Sequence, residues 1–267
     1  MTALLSLKAI HKTFQKKSVN ENHVLKGLSL DINKGDFITV IGGNGAGKST
    51  LMNCIAGNLT IDEGDILLEG KSVKTSSVKE RAKDISRVFQ DPKMGTAERL
   101  TIEENMAVAQ KRGKKLGLSW GVKDADRAIF KESLEELGMG LENRLNVDAQ
   151  FLSGGQRQAL ALVMATMNKP KLLLLDEHTA ALDPKISNQV MELTEKLVRK
   201  HDLTSLMITH NMEHAIKYGN RLVMLDKGKI VVDVSGEEKE SLTVTKLIEL
   251  FKKNTGDGSL NDSQILG

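Results

Sequence analysis

Cysteine is almost absent from this sequence, since its 267 residues contain only Cys54. A single cysteine excludes an internal disulfide and is typical of a reducing compartment. Because Cys54 falls within a predicted helix, we interpret it as a small buried hydrophobic residue. Aromatic residues make up only 3% of the chain, so the core must be built from aliphatic side chains and methionine.

Long apolar runs are absent as well. The longest, at residues 159–165, is far shorter than the roughly 20 residues that span a bilayer. Residues 1–12 lack the basic start and long apolar stretch of a signal peptide. We therefore expect any role at a membrane to depend on a partner. The net charge of +3 argues against a nucleic-acid partner, because dedicated binders usually show a denser basic patch.

The order of the predicted elements indicates an α/β fold. Antiparallel-type strands are predicted over residues 5–40, followed by short strands and then a mainly helical stretch. From Pro170 onward strands and helices alternate, which favours a mainly parallel sheet with helices on its faces. We expect a single domain over residues 1–254, with a helical insert at about 91–167, and a flexible tail at 255–267.

Residues 42–49 match the pattern G-x-x-x-x-G-K-[ST] between a predicted strand and a predicted helix. Glycines let several backbone N–H groups face one phosphate chain, and a helix N-terminus adds a favourable field. Lys48 would neutralise the β- and γ-phosphates of ATP, and Ser49 would bind Mg²⁺. The alternative is a glycine turn that binds nothing. The nucleotide-binding candidates here are Gly42, Asn44, Gly45, Ala46, Gly47, Lys48, Ser49 and Thr50.

A second motif is the run of four leucines at residues 172–175, which ends in Asp176 and Glu177. Such a run is typical of a buried parallel strand, and open α/β sheets bind ligands at the carboxyl ends of their strands. Asp176 would complete the Mg²⁺ site, and Glu177 would polarise the attacking water.

The pentapeptide Leu152-Ser153-Gly154-Gly155-Gln156 opens another predicted helix. Ser153 is a suitable N-cap, and the alternative is a second phosphate-binding helix start. With the phosphate loop, the pentapeptide resembles the ATP-binding cassette of ABC transporters, over roughly residues 4–252. The resemblance implies an ATPase core with an inserted helical subdomain. It also implies a head-to-tail dimer of two copies around two Mg-ATP, acting on an integral-membrane permease at the cytoplasmic face of the membrane.

The same resemblance implies roles for four further residues. Gln90 resembles the glutamine of the loop that joins the core to the helical insert, contributes to catalysis and senses Mg²⁺ and the permease. Asp183 resembles the loop that crosses the dimer interface and binds nucleotide there. His210 resembles the switch histidine that contacts the γ-phosphate during catalysis. Phe14 stands where the family has an aromatic residue that stacks on adenine, usually a tyrosine.

Two positions depart from the family pattern. The usual Asp-Glu-Pro-Thr-Ser run is here Asp-Glu-His-Thr-Ala, so His178 stands beside Glu177 and Ala180 removes a hydroxyl. This run, together with residues 89–97 and 218–221, resembles the ATPases of bacterial importers provisionally assigned to tryptophan or tyrosine. In that subgroup the permease resembles branched-chain amino-acid permeases, and a separate substrate-binding protein delivers the cargo.

One alternative function is a non-transport ABC ATPase that acts on ribosomes or DNA. Translation-factor members generally carry two cassettes, and DNA-repair members insert long coiled coils, whereas residues 57–151 are too short and unpatterned for one. A generic P-loop kinase or GTPase leaves residues 152–156 unexplained.

The polar residues 91–99 predict a surface groove for the permease. The basic run at 111–115 predicts a solvated helix end or a contact with lipid headgroups or an acidic loop.

Overall fold

The computed structural model describes residues 3–114 and 121–255. The chain divides into two compact units: the first combines Met1–Arg81 with Leu203–Gly267, and the second is Ala82–Asp202. Most of the predicted flexible tail, residues 256–267, lies outside the described residues, as does Lys115 of the basic run. Thr255 belongs to the last helix.

The first unit begins with an antiparallel sheet, as predicted. Its strands are β1 (Leu5–Phe14), β2 (Asn22–Ile32), β4 (Glu63–Leu68) and β5 (Lys71–Ser72), in the order β2-β1-β4-β5. Between β2 and β4 the chain forms β3 (Phe37–Ile41) and helix α1 (Lys48–Ala56), and helix α2 (Val78–Arg81) follows β5. β3 is buried along its whole length, as its apolar sequence requires.

The carboxyl-terminal part of the first unit builds a second sheet around β3. It contributes β8 (Thr204–Ile208), helix α7 (Met212–Lys217), β9 (Arg221–Asp226), β10 (Lys229–Ser235), helix α8 (Gly236–Glu240) and helix α9 (Val244–Thr255). β3 runs parallel to both β8 and β9, while β10 is antiparallel to β9. Leu247 and Phe251, one turn apart on α9, pack into the same buried cluster as Val232 and Val234 of β10.

The second unit pairs two parallel strands with several helices. β6 (Ile85–Val88) lies beside β7 (Leu172–Asp176), and the helices are α3 (Ile102–Gln110), α4 (Asp124–Glu135), α5 (Gly154–Thr166) and α6 (Pro184–Lys200). Short 3₁₀ turns occur at Pro92–Gly95, Leu141–Asn143 and Ala149–Phe151. α3 begins with a capping box, because the backbone N–H of Glu104 donates to the Thr101 hydroxyl and the Glu104 carboxylate accepts from Thr101 N–H.

Two sequence-based expectations need correction, and one region has elements that the sequence did not predict. The basic run is only partly solvated, because the Arg112 guanidinium donates to the Ala165 carbonyl at 2.9 Å and burial lowers its pKa. In the segment 91–99, Thr96 is buried, with its hydroxyl donating to the Pro92 carbonyl. Residues 229–255 carry a strand and two helices that the sequence analysis did not assign.

Candidate nucleotide site

The phosphate loop joins β3 to α1 in the first unit. Gly42 follows the strand with a φ of 153°, and a Cβ there would lie 2.3 Å from the carbonyl oxygen of Leu225. Only glycine fits such a close approach of two backbones. Gly47 occupies the N-cap of α1. The loop is therefore held against β9 by its own backbone.

Lys48 closes the loop from inside. Its ammonium donates to the carbonyl oxygens of Gly42, at 2.6 Å, and Gly43, at 3.0 Å, and the side chain is buried. A buried ammonium needs acceptors, and the loop carbonyls supply them. Asn44, Gly45 and Ser49 are exposed, and Thr50 is half-buried. The loop therefore presents polar groups to solvent while Lys48 fixes its curvature.

β2 and the β9–β10 turn support the loop from behind. A Cβ on Gly47 would meet Leu25 at 3.0 Å, and the Ala46 carbonyl accepts a hydrogen bond from Gly228 N–H. In the hairpin of β1 and β2, Phe14 pairs with Asn22 next to the connecting loop, and its half-buried ring has the Lys12 ammonium 5.6 Å from its centre. The hairpin that carries Phe14 is thus anchored on the phosphate loop.

His210 follows β8 at the same edge of the sheet as the phosphate loop. Because Val40 pairs with Ile208 in the parallel register, Gly42 and His210 both emerge two residues later from neighbouring strand ends. The backbone N–H of Thr209 donates to the Val40 carbonyl at 3.1 Å, which extends this pairing beyond the strands. The first unit therefore brings residues 42–50 and His210 to one sheet edge, and Phe14 lies on the hairpin whose Leu25 packs behind the loop.

In the second unit, Gln90 and Glu177 emerge from neighbouring strand ends. Val88 pairs with Leu175, so each of the two residues lies two positions beyond a member of this pair. Glu177 adopts a φ of 47°, a left-handed conformation that is uncommon outside glycine and clusters at functional sites. Gln90 is exposed and Glu177 is half-buried.

Asp176 does not stand alone at this edge. Its Oδ2 accepts a hydrogen bond from the guanidinium of Arg87 on β6, in a salt bridge whose two side chains are 12% and 14% exposed. The same guanidinium lies over the ring of Phe89, 4.8 Å from its centre. Sequence analysis missed Arg87, because only the strand register, which pairs it with Leu174, brings it within reach of the β7 carboxylate.

His178 turns into the unit instead of into the site. Its Nε2 lies 2.9 Å from the Thr194 hydroxyl, which donates its own proton to the Val190 carbonyl. Thr194 can therefore only accept from His178, so the proton in this contact belongs to His178 Nε2. The histidine that departs from the family pattern is a buried link between the β7 end and α6.

The α5 start has the predicted cap. The Ser153 hydroxyl accepts from Gln156 N–H, and the Gln156 side chain accepts from Ser153 N–H, both at 3.2 Å. Ser153 and Gly154 are exposed. Gly155 is buried, and a Cβ there would lie 2.3 Å from Ile186, so the second glycine lets α6 approach closely. Asp183 caps α6 through Ile186 N–H.

Within the part of the chain that the structure describes, no helix is long and apolar enough to cross a membrane.

Comparison with known proteins assigns this arrangement to a class. Residues 25–180 match the family model described as ABC transporter. The chain is 44% identical to a tyrosine transport ATP-binding protein of Clostridioides difficile (strain R20291), over 93% of this chain and 99% of that one. It is 36% identical to a methionine import ATP-binding protein of Streptococcus agalactiae, over 90% of this chain and 68% of that one.

Two solved structures with a similar fold are nucleotide-bound cassettes. The ADP conformation of MJ1267, an ATP-binding cassette of an ABC transporter, superposes with a TM-score of 0.77 at 29% identity, covering 94% of this chain and 99% of that one. A dimeric, post-hydrolysis cassette, MJ0796 bound to ADP and Pi, gives 0.74 at 28% identity, covering 86% and 98%.

These matches define an ATP-binding cassette. The chain belongs to the ABC transporter family and is an ATP-binding, ATP-hydrolysing subunit of such a transporter. The family resemblance, the α/β fold and the ATPase activity predicted from the sequence are confirmed.

Proposed function

We propose that this subunit powers import of an amino acid, tyrosine or tryptophan, by hydrolysing two Mg-ATP held between two copies of the chain. The observation that carries the proposal is the phosphate loop, with the buried Lys48 ammonium drawing in the Gly42 and Gly43 carbonyls behind exposed backbone at residues 44–45. The tyrosine-transport and methionine-import relatives favour transport over action on ribosomes or DNA.

In the first unit, the loop would cradle the phosphates with its backbone N–H groups and the N-terminus of α1. The Lys48 ammonium would donate a hydrogen bond to the γ-phosphate in addition to those that it donates to the Gly42 and Gly43 carbonyls. Phe14 would stack on adenine, and His210, on the neighbouring strand end, would contact the γ-phosphate. The roles of Lys48 and His210 follow from their positions at one edge of the sheet that contains β3 and β8, and the role of Phe14 follows from the family resemblance.

In the second unit, Glu177 would hold and polarise the attacking water, and its left-handed backbone aims the side chain differently from a regular strand. Gln90 and Asp176 of this unit would be Mg²⁺ ligands, and the sequence motif assigns the Ser49 hydroxyl to Mg²⁺ as well. A carboxylate, an amide oxygen and a hydroxyl are hard oxygen donors, and Mg²⁺ prefers such ligands together with waters and phosphates. When bound, the ion neutralises charge that develops on the transferred phosphoryl group.

The exposed start of α5 would bind a phosphate group. That phosphate would belong to an ATP bound by a second copy of the chain. Ser153, Gly154 and Gln156 would bind the γ-phosphate of the ATP on the partner's loop, and Asp183 would lie at the interface. Two symmetric copies then build two equivalent sites.

Complementation tests this arrangement. Dimers of Lys48→Ala chains have no working phosphate loop, and dimers of Ser153→Arg chains have no working α5 start. A mixed dimer combines one intact loop with one intact α5 start, so mixing two inactive proteins should restore about a quarter of the wild-type rate per chain. If the mixture stays inactive although mixed dimers form, the sites are not shared between copies.

For transport we propose a permease that docks on the segment around Glu98. Met94 and Phe151 are each 68% exposed. Their neighbours Lys93 and Gln150 both contact Glu98, through a 3.6 Å ion pair and a 3.0 Å backbone hydrogen bond. Two exposed apolar side chains around one charged centre suit a partner helix better than water. A substrate-binding protein would deliver the cargo to this complex at the membrane.

A further inference from the structure

Arg87 links a carboxylate of the candidate site to the residue before Gln90. Side chains alternate along an extended chain, so Arg87 of β6 and Phe89, which directly follows β6, point to the same side, while Leu174 and Asp176 share one face of β7. Arg87 pairs with Leu174 in the register. Its guanidinium consequently reaches both the Asp176 carboxylate and the Phe89 ring.

The salt bridge places a permanent cation where the proposed function places Mg²⁺. Arginine stays protonated at any working pH, and both side chains are nearly covered, so solvent screens their interaction less than on an open surface. A dication that approaches Asp176 meets a carboxylate oxygen already engaged by Arg87 and a positive charge beside it. Mg²⁺ and Arg87 therefore compete for one carboxylate.

We propose that Arg87 is a positioning residue that serves as an internal counter-ion for Asp176 and is displaced when Mg²⁺ arrives. This inference rests on the proposed role of Asp176 as a Mg²⁺ ligand.

A displacement of Arg87 can change the conformation at Gln90 through the neighbouring residue Phe89. The guanidinium covers the ring of Phe89, and the Phe89 carbonyl accepts a hydrogen bond from Gln158 Nε2 on α5 at 3.2 Å. When the Arg87 guanidinium leaves Asp176, the Phe89 ring either loses its contact with the guanidinium or moves with it. The Phe89 carbonyl meanwhile keeps its hydrogen bond to Gln158 of α5. The metal state of Asp176 is thereby passed to the segment that begins at Gln90.

The test is a Mg²⁺ titration of the full chain at a fixed concentration of a fluorescent ADP analogue, which binds without hydrolysis. Arg87→Met, which keeps the length of the side chain without its charge, should lower the Mg²⁺ concentration at half-maximal binding roughly five-fold. Arg87→Lys, which keeps the charge, should stay near the wild-type value. The matched control is Lys171→Met, since Lys171 pairs with Asp84 at the opposite ends of the same two strands.

Asp176→Asn separates this inference from the proposed function. If Asp176→Asn raises the Mg²⁺ requirement and Arg87→Met has no effect in that background, competition for Asp176 is supported. If Asp176→Asn raises the requirement but Arg87→Met alone leaves it unchanged, or shifts it no more than Lys171→Met does, the inference is overturned while the metal role of Asp176 stands. If Asp176→Asn itself has no effect, both fall. Thermal unfolding of each variant identifies any that has lost its fold.

Discussion

The amide of Gln158 donates a hydrogen bond to the main-chain carbonyl of Phe89 over 3.2 Å, which joins the helix capped by Ser153 to the residue before Gln90. The Gln158 side chain is fully buried. A buried carbonyl that loses its donor costs free energy, so this one side chain fixes the entry to the Gln90 segment.

Replacing Gln158 tests that connection. Gln158→Leu should lower the free energy of unfolding by about 1–3 kcal/mol, because the Phe89 carbonyl loses its side-chain donor. Gln158→Glu offers the carbonyl a donor only when the new carboxyl is protonated, so its stability deficit should grow as the pH rises above the ordinary range of a glutamate. Denaturant unfolding at several pH values measures the free energy of unfolding of both variants. If the loss of stability in Gln158→Glu does not depend on pH, the hydrogen bond to the Phe89 carbonyl is not what stabilises this segment.

Phe14 should contribute adenine stacking worth on the order of 1 kcal/mol. Phe14→Ala is expected to weaken ATP binding several-fold, while Phe14→Tyr keeps the ring and should be almost silent. Fluorescence titration with a nucleotide analogue measures the affinities. A Phe14→Ala protein that binds ATP normally but unfolds at a clearly lower temperature would show that the ring serves only the hairpin.

Cys54 makes the stability of the fold depend on alkaline pH. Burial raises the pKa of its thiol from 9.0 to about 11, so the folded chain holds the thiol proton more tightly than the unfolded chain. The resulting stabilisation is complete below pH 9 and is lost as the pH rises toward about 11. Its size is on the order of 2–3 kcal/mol.

A pH series of denaturant unfolding checks this contribution. Cys54→Ala removes the thiol and serves as the control, so the difference in slope between the two proteins between pH 9 and 11 isolates it. Parallel curves for the two proteins would mean that the thiol is not responsible. The native thiol should also resist alkylation at neutral pH, since it is buried and the thiolate is the reactive form.

Met94 is the position from which to test permease docking. It is 68% exposed, whereas Thr96 in the same segment is buried and would report poorly. Met94→Cys in a Cys54→Ala background should crosslink to the permease in the assembled transporter, and Glu98→Lys should reduce transport while the isolated subunit still hydrolyses ATP. Lys71, on β5 of the other unit, provides a matched exposed control position as Lys71→Cys. Equal crosslinking from both positions would place docking elsewhere.

The sequence predicted those parts of the site that are local in the chain. The loop between β3 and α1 and the Ser153 cap each depend on residues within a few positions of one another, and both are present. Residues 229–255 had a usable signal that went unread: Val232 and Val234 alternate as in a strand, and Leu247 and Phe251 have helical spacing.

Other features required the pairing of distant residues. Arg87 and Asp176 are 89 positions apart, and only the β6–β7 register brings them together. The same holds for Arg112, whose charge predicted a solvated helix end but whose guanidinium reaches the Ala165 carbonyl. The polar composition of residues 91–99 predicts an exposed Thr96. The side chain is instead buried, and its hydroxyl donates to the nearby Pro92 carbonyl.

We propose that two copies of this chain close around ATP and that Glu177 drives the hydrolysis that reopens them. The most direct measurement is the molar mass of Glu177→Gln in solution, by light scattering, with and without Mg-ATP. We expect the variant to remain near the 29.3 kDa of one chain without nucleotide. With Mg-ATP it should form a long-lived dimer, which Ser153→Arg in the same chain abolishes. A Glu177→Gln protein that stays monomeric with saturating Mg-ATP at all concentrations, or that hydrolyses ATP at the wild-type rate, would contradict the account.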